Sequence, residues 1–166
     1  MNPARKKILL FLLLLVCLAL WPHKIQAAEF NLAPTRIIIP KIAVDLPVFT
    51  AHIAYNTWEV RTDGASFGED TAEPGNLGNT VIFSHARPRL FIDLPHLQKG
   101  DYIHVFTPTD WFVYKVTTVM IVQPENTVVI FSSSKHELTL FTCTGEKYLQ
   151  RFIVKAILTS DPQNSF

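Results

Sequence analysis

From residue 30 onward the apolar residues come in short β-branched and aromatic runs, each cut off by proline, glycine or a polar turn. Proline cannot continue a helix and cannot donate a hydrogen bond into a sheet interior, whereas Val, Ile, Thr and Phe pack well on a pleated surface. Such a chain can fold only as short strands. With Pro40 and Pro47 punctuating them, Arg36 to Ile39 and Ile42 to Phe49 suit edge strands or bends. Thr57 to Arg61 is a further short strand. The turn-rich residues 73–79 lead directly into Thr80 to Phe83. Phe91, Leu94 and Leu97, spaced by three, indicate a helical turn, and Gly100-Asp101 turns the chain into Tyr102 to Thr107. Trp111 to Gln123 is the longest strand and stops at Pro124. Residues 125–136 form a loop with a short helical turn, and Leu138 to Thr142 and Arg151 to Thr159 are the last strands. Many short strands separated by turns predict an all-β, closed or nearly closed barrel with short helical turns.

Residues 1–29 have a different composition. Arg5, Lys6 and Lys7 precede an unbroken apolar run of 14 residues, Ile8 to Trp21, and Pro22 ends it. Ile25-Gln26-Ala27 is a passable cleavage context. A basic start with a short apolar core is expected of a signal peptide or a retained signal anchor, so the chain is expected to be exported. Residues 30–166 show no repeat or linker and are taken as one domain.

Charge narrows the partners. The chain carries +1, and residues 1–27 hold four basic and no acidic side chains; +1 less those four leaves the remainder at −3. No basic block stands in that remainder, which argues against a nucleic-acid partner. Cysteine usage narrows the chemistry. Of two cysteines, Cys17 lies in the leader, so Cys143 has no partner for a disulfide within the domain. A lone thiol in an oxidising compartment is packed and inert, joined to another chain, or catalytic.

The surroundings of Cys143 favour the last. A strand pattern runs through Thr139-Leu140-Phe141-Thr142 into Cys143, and Thr144-Gly145 begins a turn, which places the thiol at a strand end where a substrate can reach it. A cysteine nucleophile acts as the thiolate and needs a cationic or basic neighbour. Arg151 opens the next strand, eight residues on, and a hairpin across 144–150 brings it near the level of Cys143. Its permanent charge suits it to stabilising a thiolate or an oxyanion, although an arginine at a strand end is also an ordinary partner for a carboxylate. The base must be a histidine. His23 is in the leader; His52, His96 and His136 sit in turns or loops; His104 lies within a strand. His85 follows Thr80 to Phe83 and is the second strand-end candidate, suited to acid–base work.

These segments resemble the sortase family across nearly all of residues 30–166. Thr139 to Cys143 is similar to the family's signature around its nucleophile, and Arg151 opening an apolar strand is similar to its arginine. Residues 75–79 leading through a strand to His85 resemble its histidine segment, and Phe91, Leu94, Leu97 and Gly100-Asp101 fall where sortases carry similar residues. Two departures stand out: Ser84 precedes the histidine where glycine is usual, and the loop from Cys143 to Arg151 is short. The resemblance implies an eight-stranded barrel and a cysteine transpeptidase acting through Cys143, His85 and Arg151. Its substrates would be proteins bearing an LPXTG-like sorting signal, and an amine on a cell-wall precursor or a pilin lysine would accept the acyl group. It further implies that Thr142 contacts the signal, that the backbone N–H after Cys143, on Thr144, helps hold the oxyanion, and that residues 124–136 wall the groove. Membrane association through the N-terminal segment goes with this reading.

No cofactor is expected. Some sortases are helped by calcium, but Asp93, Glu125 and Glu137 are scattered and establish no metal site. An L,D-transpeptidase would carry Ser-His-Gly before its cysteine, where Phe141-Thr142 stands here. The alternative from another class is an exported, non-catalytic binding barrel in which Cys143 is a packed thiol.

Overall fold

The computed structural model describes residues 32–160. The leader therefore lies outside the described residues. Among the described residues ten strands form: β1 (Arg36–Ile39), β2 (Val44–Ala51), β3 (Ile53–Ala54), β4 (Thr57–Trp58), β5 (Ala65–Gly68), β6 (Gly78–Phe83), β7 (Tyr102–Phe106), β8 (Trp111–Val122), β9 (His136–Thr144) and β10 (Gln150–Ser160). Eight of them close into a barrel in the order β1-β2-β5-β6-β9-β10-β8-β7, and β3 and β4 make a small separate hairpin. Short 3₁₀ turns complete the fold at Pro40–Ile42, Phe91–His96, Thr127–Ile130 and Glu146–Tyr148.

Most strands fall where the sequence predicts them, with three differences. β1 and β2 are not edges, because β1 pairs with both β2 and β7, and β2 pairs with both β1 and β5. Barrel closure removes edges altogether, and Pro47 is accommodated inside β2, opposite Arg36, with the ladder resuming through the Val48 N–H to the Thr35 carbonyl at 2.9 Å. The strand expected at 57–61 is only two residues long and stays outside the barrel. β5 has no expectation behind it. Its sequence, Ala-Ser-Phe-Gly, has little β propensity, and it is a strand because its two neighbours pair with it.

Alternate residues of each strand fill the barrel. Ile37, Ile39, Ile82, Ile103, Val105, Tyr114, Leu138 and Leu140 are buried there, and the 3₁₀ turn Phe91–His96 adds Phe91 and Leu94. All six residues of β6 are buried, so its outer face is covered as well. That cover is a second cluster in which Trp58, Ile130 and Phe141 pack on Ala51, Val81 and Phe83.

One amide ties the cover to the barrel. Asn79, 2% exposed, accepts the Thr139 hydroxyl at 2.6 Å and donates through Nδ2 to the Phe131 carbonyl at 3.1 Å and the Val129 carbonyl at 3.4 Å. Its removal would leave a buried hydroxyl and two carbonyls without their partner, a loss of about 1–3 kcal/mol. Asn79→Ala is therefore expected to lower the urea-unfolding free energy by that amount. A loss of only a few tenths would show that the amide does not pin the 127–131 segment.

Candidate active site

Strands β6 and β9 run parallel, with Phe83 opposite Phe141 at the last rung. Two residues further along each chain lie His85 and Cys143. The contact continues past the ladder, since the Ser84 N–H donates to the Phe141 carbonyl at 3.4 Å and the Thr142 hydroxyl donates to the Ser84 carbonyl at 2.8 Å. On the other side of β9, antiparallel β10 puts Arg151 directly opposite Cys143. Residues directly opposite in an antiparallel pair project from the same face, with Cβ atoms about 5 Å apart. The two pairings thus bring His85, Cys143 and Arg151 to one level at one rim of the barrel.

The three side chains line a common cavity of about 260 Å³, shared with Trp58, Phe83 and Phe141. Its floor is an aromatic stack: Trp58 lies 5.5 Å from Phe83, which lies 4.8 Å from Phe141 with the rings nearly parallel. Gly68 makes room for this stack, because a Cβ there would meet the Trp58 ring at 2.7 Å. The cavity continues, past Arg151 and Phe141, into one of about 210 Å³ bounded by Pro124, Val129 and Ile130. The part of residues 124–136 that walls this groove is thus its first half.

Cys143 is half-buried and its thiol is free. Arg151 donates through one terminal nitrogen to the Tyr148 and Gln150 carbonyls at 3.2 and 3.1 Å, and among the described residues it makes no ion pair with a carboxylate. Its charge is therefore not spent on a protein anion. The loop between the two residues depends on Gly145, whose φ of 76° and ψ of −179° are essentially open only to glycine. His85 is also half-buried, and partial burial, reinforced by the Arg87 guanidinium, holds its imidazole below the ordinary histidine value of 6.5. It is neutral at neutral pH, the form that can take a proton from a thiol.

Thr142 lines the cavity of Cys143 and is 1% exposed, and its hydroxyl, committed to Ser84, clamps the two strand ends together. Thr144, half-buried, is the last residue of β9, opposite Gln150, and is not among the residues lining these cavities. Ser84, the departure from the usual glycine, is buried and donates its hydroxyl to the Gly64 carbonyl at 2.9 Å, tying the His85 segment to the approach to β5. The other histidines within the described residues are occupied elsewhere. His52 contacts Glu69 at 2.6 Å, His96 lies 3.4 Å from Asp93, and His104 stacks on Trp111. His136, expected in a loop, instead begins β9 and donates to the Gly75 carbonyl at 2.7 Å. Among the described residues no three His, Cys, Asp or Glu side chains gather as a metal would require, and Glu137 is held by Lys155.

Comparison with known proteins assigns the chain to a family. The sortase-domain family model matches residues 37–159. Sortase A of Bacillus anthracis is 31% identical over 115 residues, covering 68% of this chain and 52% of that protein. Among solved structures, a Clostridium perfringens sortase D5 transpeptidase aligns at 29% identity with a TM-score of 0.65, covering 75% of this chain and 78% of that one. The pilus-related sortase C of Group B Streptococcus aligns at 29% identity with a TM-score of 0.69, covering 80% and 70%. The chain belongs to the sortase family. It spans about half the length of the curated relatives it matches.

Part of the aromatic floor has a signal in the sequence. Phe83 and Phe141 each stand two residues before the histidine and the cysteine, so parallel pairing puts them on the face those residues share. Trp58 has no such signal, because its place depends on β3–β4 folding over β6. The depressed His85 value has a direct test. Since the folded protein binds the His85 proton less readily than the unfolded chain, protonation opposes folding, and this contribution to stability is lost as pH falls from 6.5 through the folded value. In Cys143→Ala protein, the His85 Cε1–H resonance is expected to titrate with a midpoint below 6.5; a midpoint at or above it contradicts the burial argument.

Proposed function

We propose that this chain is a cysteine transpeptidase that cleaves an LPXTG-like sorting signal and joins the acyl fragment to an amine. The observation that carries the reading is that two strand pairings bring a neutral imidazole, and a guanidinium with no ion pair among the described residues, to the level of one free thiol. His85 takes the Cys143 proton, and the thiolate attacks the Thr–Gly carbonyl carbon of the signal. Arg151, with the backbone N–H of Thr144, holds the negative oxygen of the tetrahedral intermediate. The intermediate collapses with loss of the C–N bond, the departing amine takes the proton from His85, and a thioester to Cys143 remains. The incoming amine reverses these steps and frees the thiolate. The groove of Trp58, Phe141, Pro124, Val129 and Ile130 suits the apolar part of an extended signal peptide.

In this reading residues 1–29 bring the enzyme to the membrane and the barrel works on its outer side, on proteins bearing the signal. The acceptor is an amine of the cell surface, in a wall precursor or a pilin. The support is the basic and apolar pattern of that segment together with family membership.

The decisive experiment mixes the protein with LPXTG-like peptides and hydroxylamine and reads the products by mass spectrometry, with Cys143→Ala as control. A peptide hydroxamate ending at threonine, absent from the control, is the expected product. Cleavage in the control, or none in the parent, defeats the proposal. Arg151→Lys is expected to lower the turnover rate by about 10²-fold or more, since a point charge does not replace a planar oxyanion donor. A variant as fast as the parent removes Arg151 from the mechanism.

A further inference from the structure

Cys143 and His85 line two cavities, not one. Besides the aromatic groove they wall a cavity of about 400 Å³ whose other sides are Ala86, Arg87 and Tyr148. Trp58, Phe141 and Arg151 line the groove and not this second space. The thiol therefore stands between two openings of different character, one aromatic and one cationic.

The chemistry assigns them different occupants. The leaving amine and the incoming amine must pass the same proton carrier, because the second half of the reaction retraces the first. With the acyl side of the substrate on the aromatic groove, the amine side is the cavity on the other flank of His85. There the protein presents Arg87, a permanent, exposed cation that makes no ion pair among the described residues. Its guanidinium is near enough to bear on the His85 imidazole. A cation at this place disfavours a bare ammonium ion and favours the free amine that attack requires. It also leaves a guanidinium fork open to a planar anion, and carboxylate matches that fork in two-point geometry. Tyr148 closes the cavity from a loop in which two successive non-glycine residues, Lys147 and Tyr148, have φ of 53° and 59°.

Resting on the transpeptidase reading, we propose that the Arg87–Tyr148 cavity is the acceptor subsite and selects an amine whose carrier bears a carboxylate close to the nitrogen, with Arg87 holding that carboxylate. In the transfer step the neutral amine nitrogen attacks the thioester carbonyl carbon. The C–N bond forms, the C–S bond breaks with its electron pair returning to the Cys143 sulfur, and the extra proton on nitrogen passes to the neutral His85 imidazole.

The test uses the full chain, one LPXTG-like peptide and two acceptors that differ in a single group, diglycine and diglycinamide, compared per unit of free amine. Hydroxylamine in parallel reports the thioester independently of either acceptor. The parent is expected to show a KM for diglycine about five- to tenfold below that for diglycinamide, the range for one charge-assisted pair at an accessible site. Arg87→Gln should bring the ratio close to one, Arg87→Lys should retain part of the preference, and Arg87→Glu should invert it. Equal KM values in the parent, or a preference that survives Arg87→Gln, overturn the subsite assignment; if hydroxamate forms in the same assay, the transpeptidase reading stands without it. Absence of hydroxamate overturns both.

Discussion

The parallel pairing of β6 with β9 is the constraint on which the site depends. A parallel pair cannot be closed by a tight turn, so residues 84–135, with two barrel strands and two 3₁₀ turns, must fold between its members. Its register is specified on both faces, because β6 is buried throughout and a one-residue slip would turn every side chain to the wrong face. Ser84 and Thr142 then carry the alignment beyond the last rung. The distance from histidine to cysteine is thereby set by the same packing that holds the barrel closed, with no flexible loop left to choose it.

The third group arrives by a different route. Arg151 reaches Cys143 through a local hairpin whose return needs the backbone freedom of Gly145. A parallel crossover of long range and a hairpin of short range thus meet at one residue. The electrostatic consequence follows from the two neighbours: a half-buried imidazole kept neutral, and a guanidinium with its charge unspent on any carboxylate among the described residues. Both suit the proposed role of Cys143, a nucleophile that gives up its proton and then forms a negatively charged intermediate.

Much of this was legible in the sequence. Strand-end placement of Cys143, His85 and Arg151 follows from short β-branched runs interrupted by Gly and Pro, and the helical turns at 91–96 and 127–130 follow from spacing and composition. What escaped the sequence was tertiary. Pro40 and Pro47 speak locally for edges, and closure of the barrel overrides them. β5 is made a strand by its neighbours, and Trp58 reaches the groove through a hairpin outside the barrel. The commitment of the Thr142 hydroxyl to the Ser84 carbonyl, while Thr142 still lines the cavity of Cys143, follows from how the two strand ends meet and not from the local pattern.

The central claim is that His85 and Arg151 act on the Cys143 thiol, and the rate of its alkylation by iodoacetamide across pH tests that most directly. The account predicts that Cys143 in the folded parent alkylates faster than in His85→Ala and in Arg151→Ala protein, while the rate in urea is the same for all three. Equal folded-state rates in all three proteins would contradict it and leave Cys143 a packed thiol in a barrel that only binds.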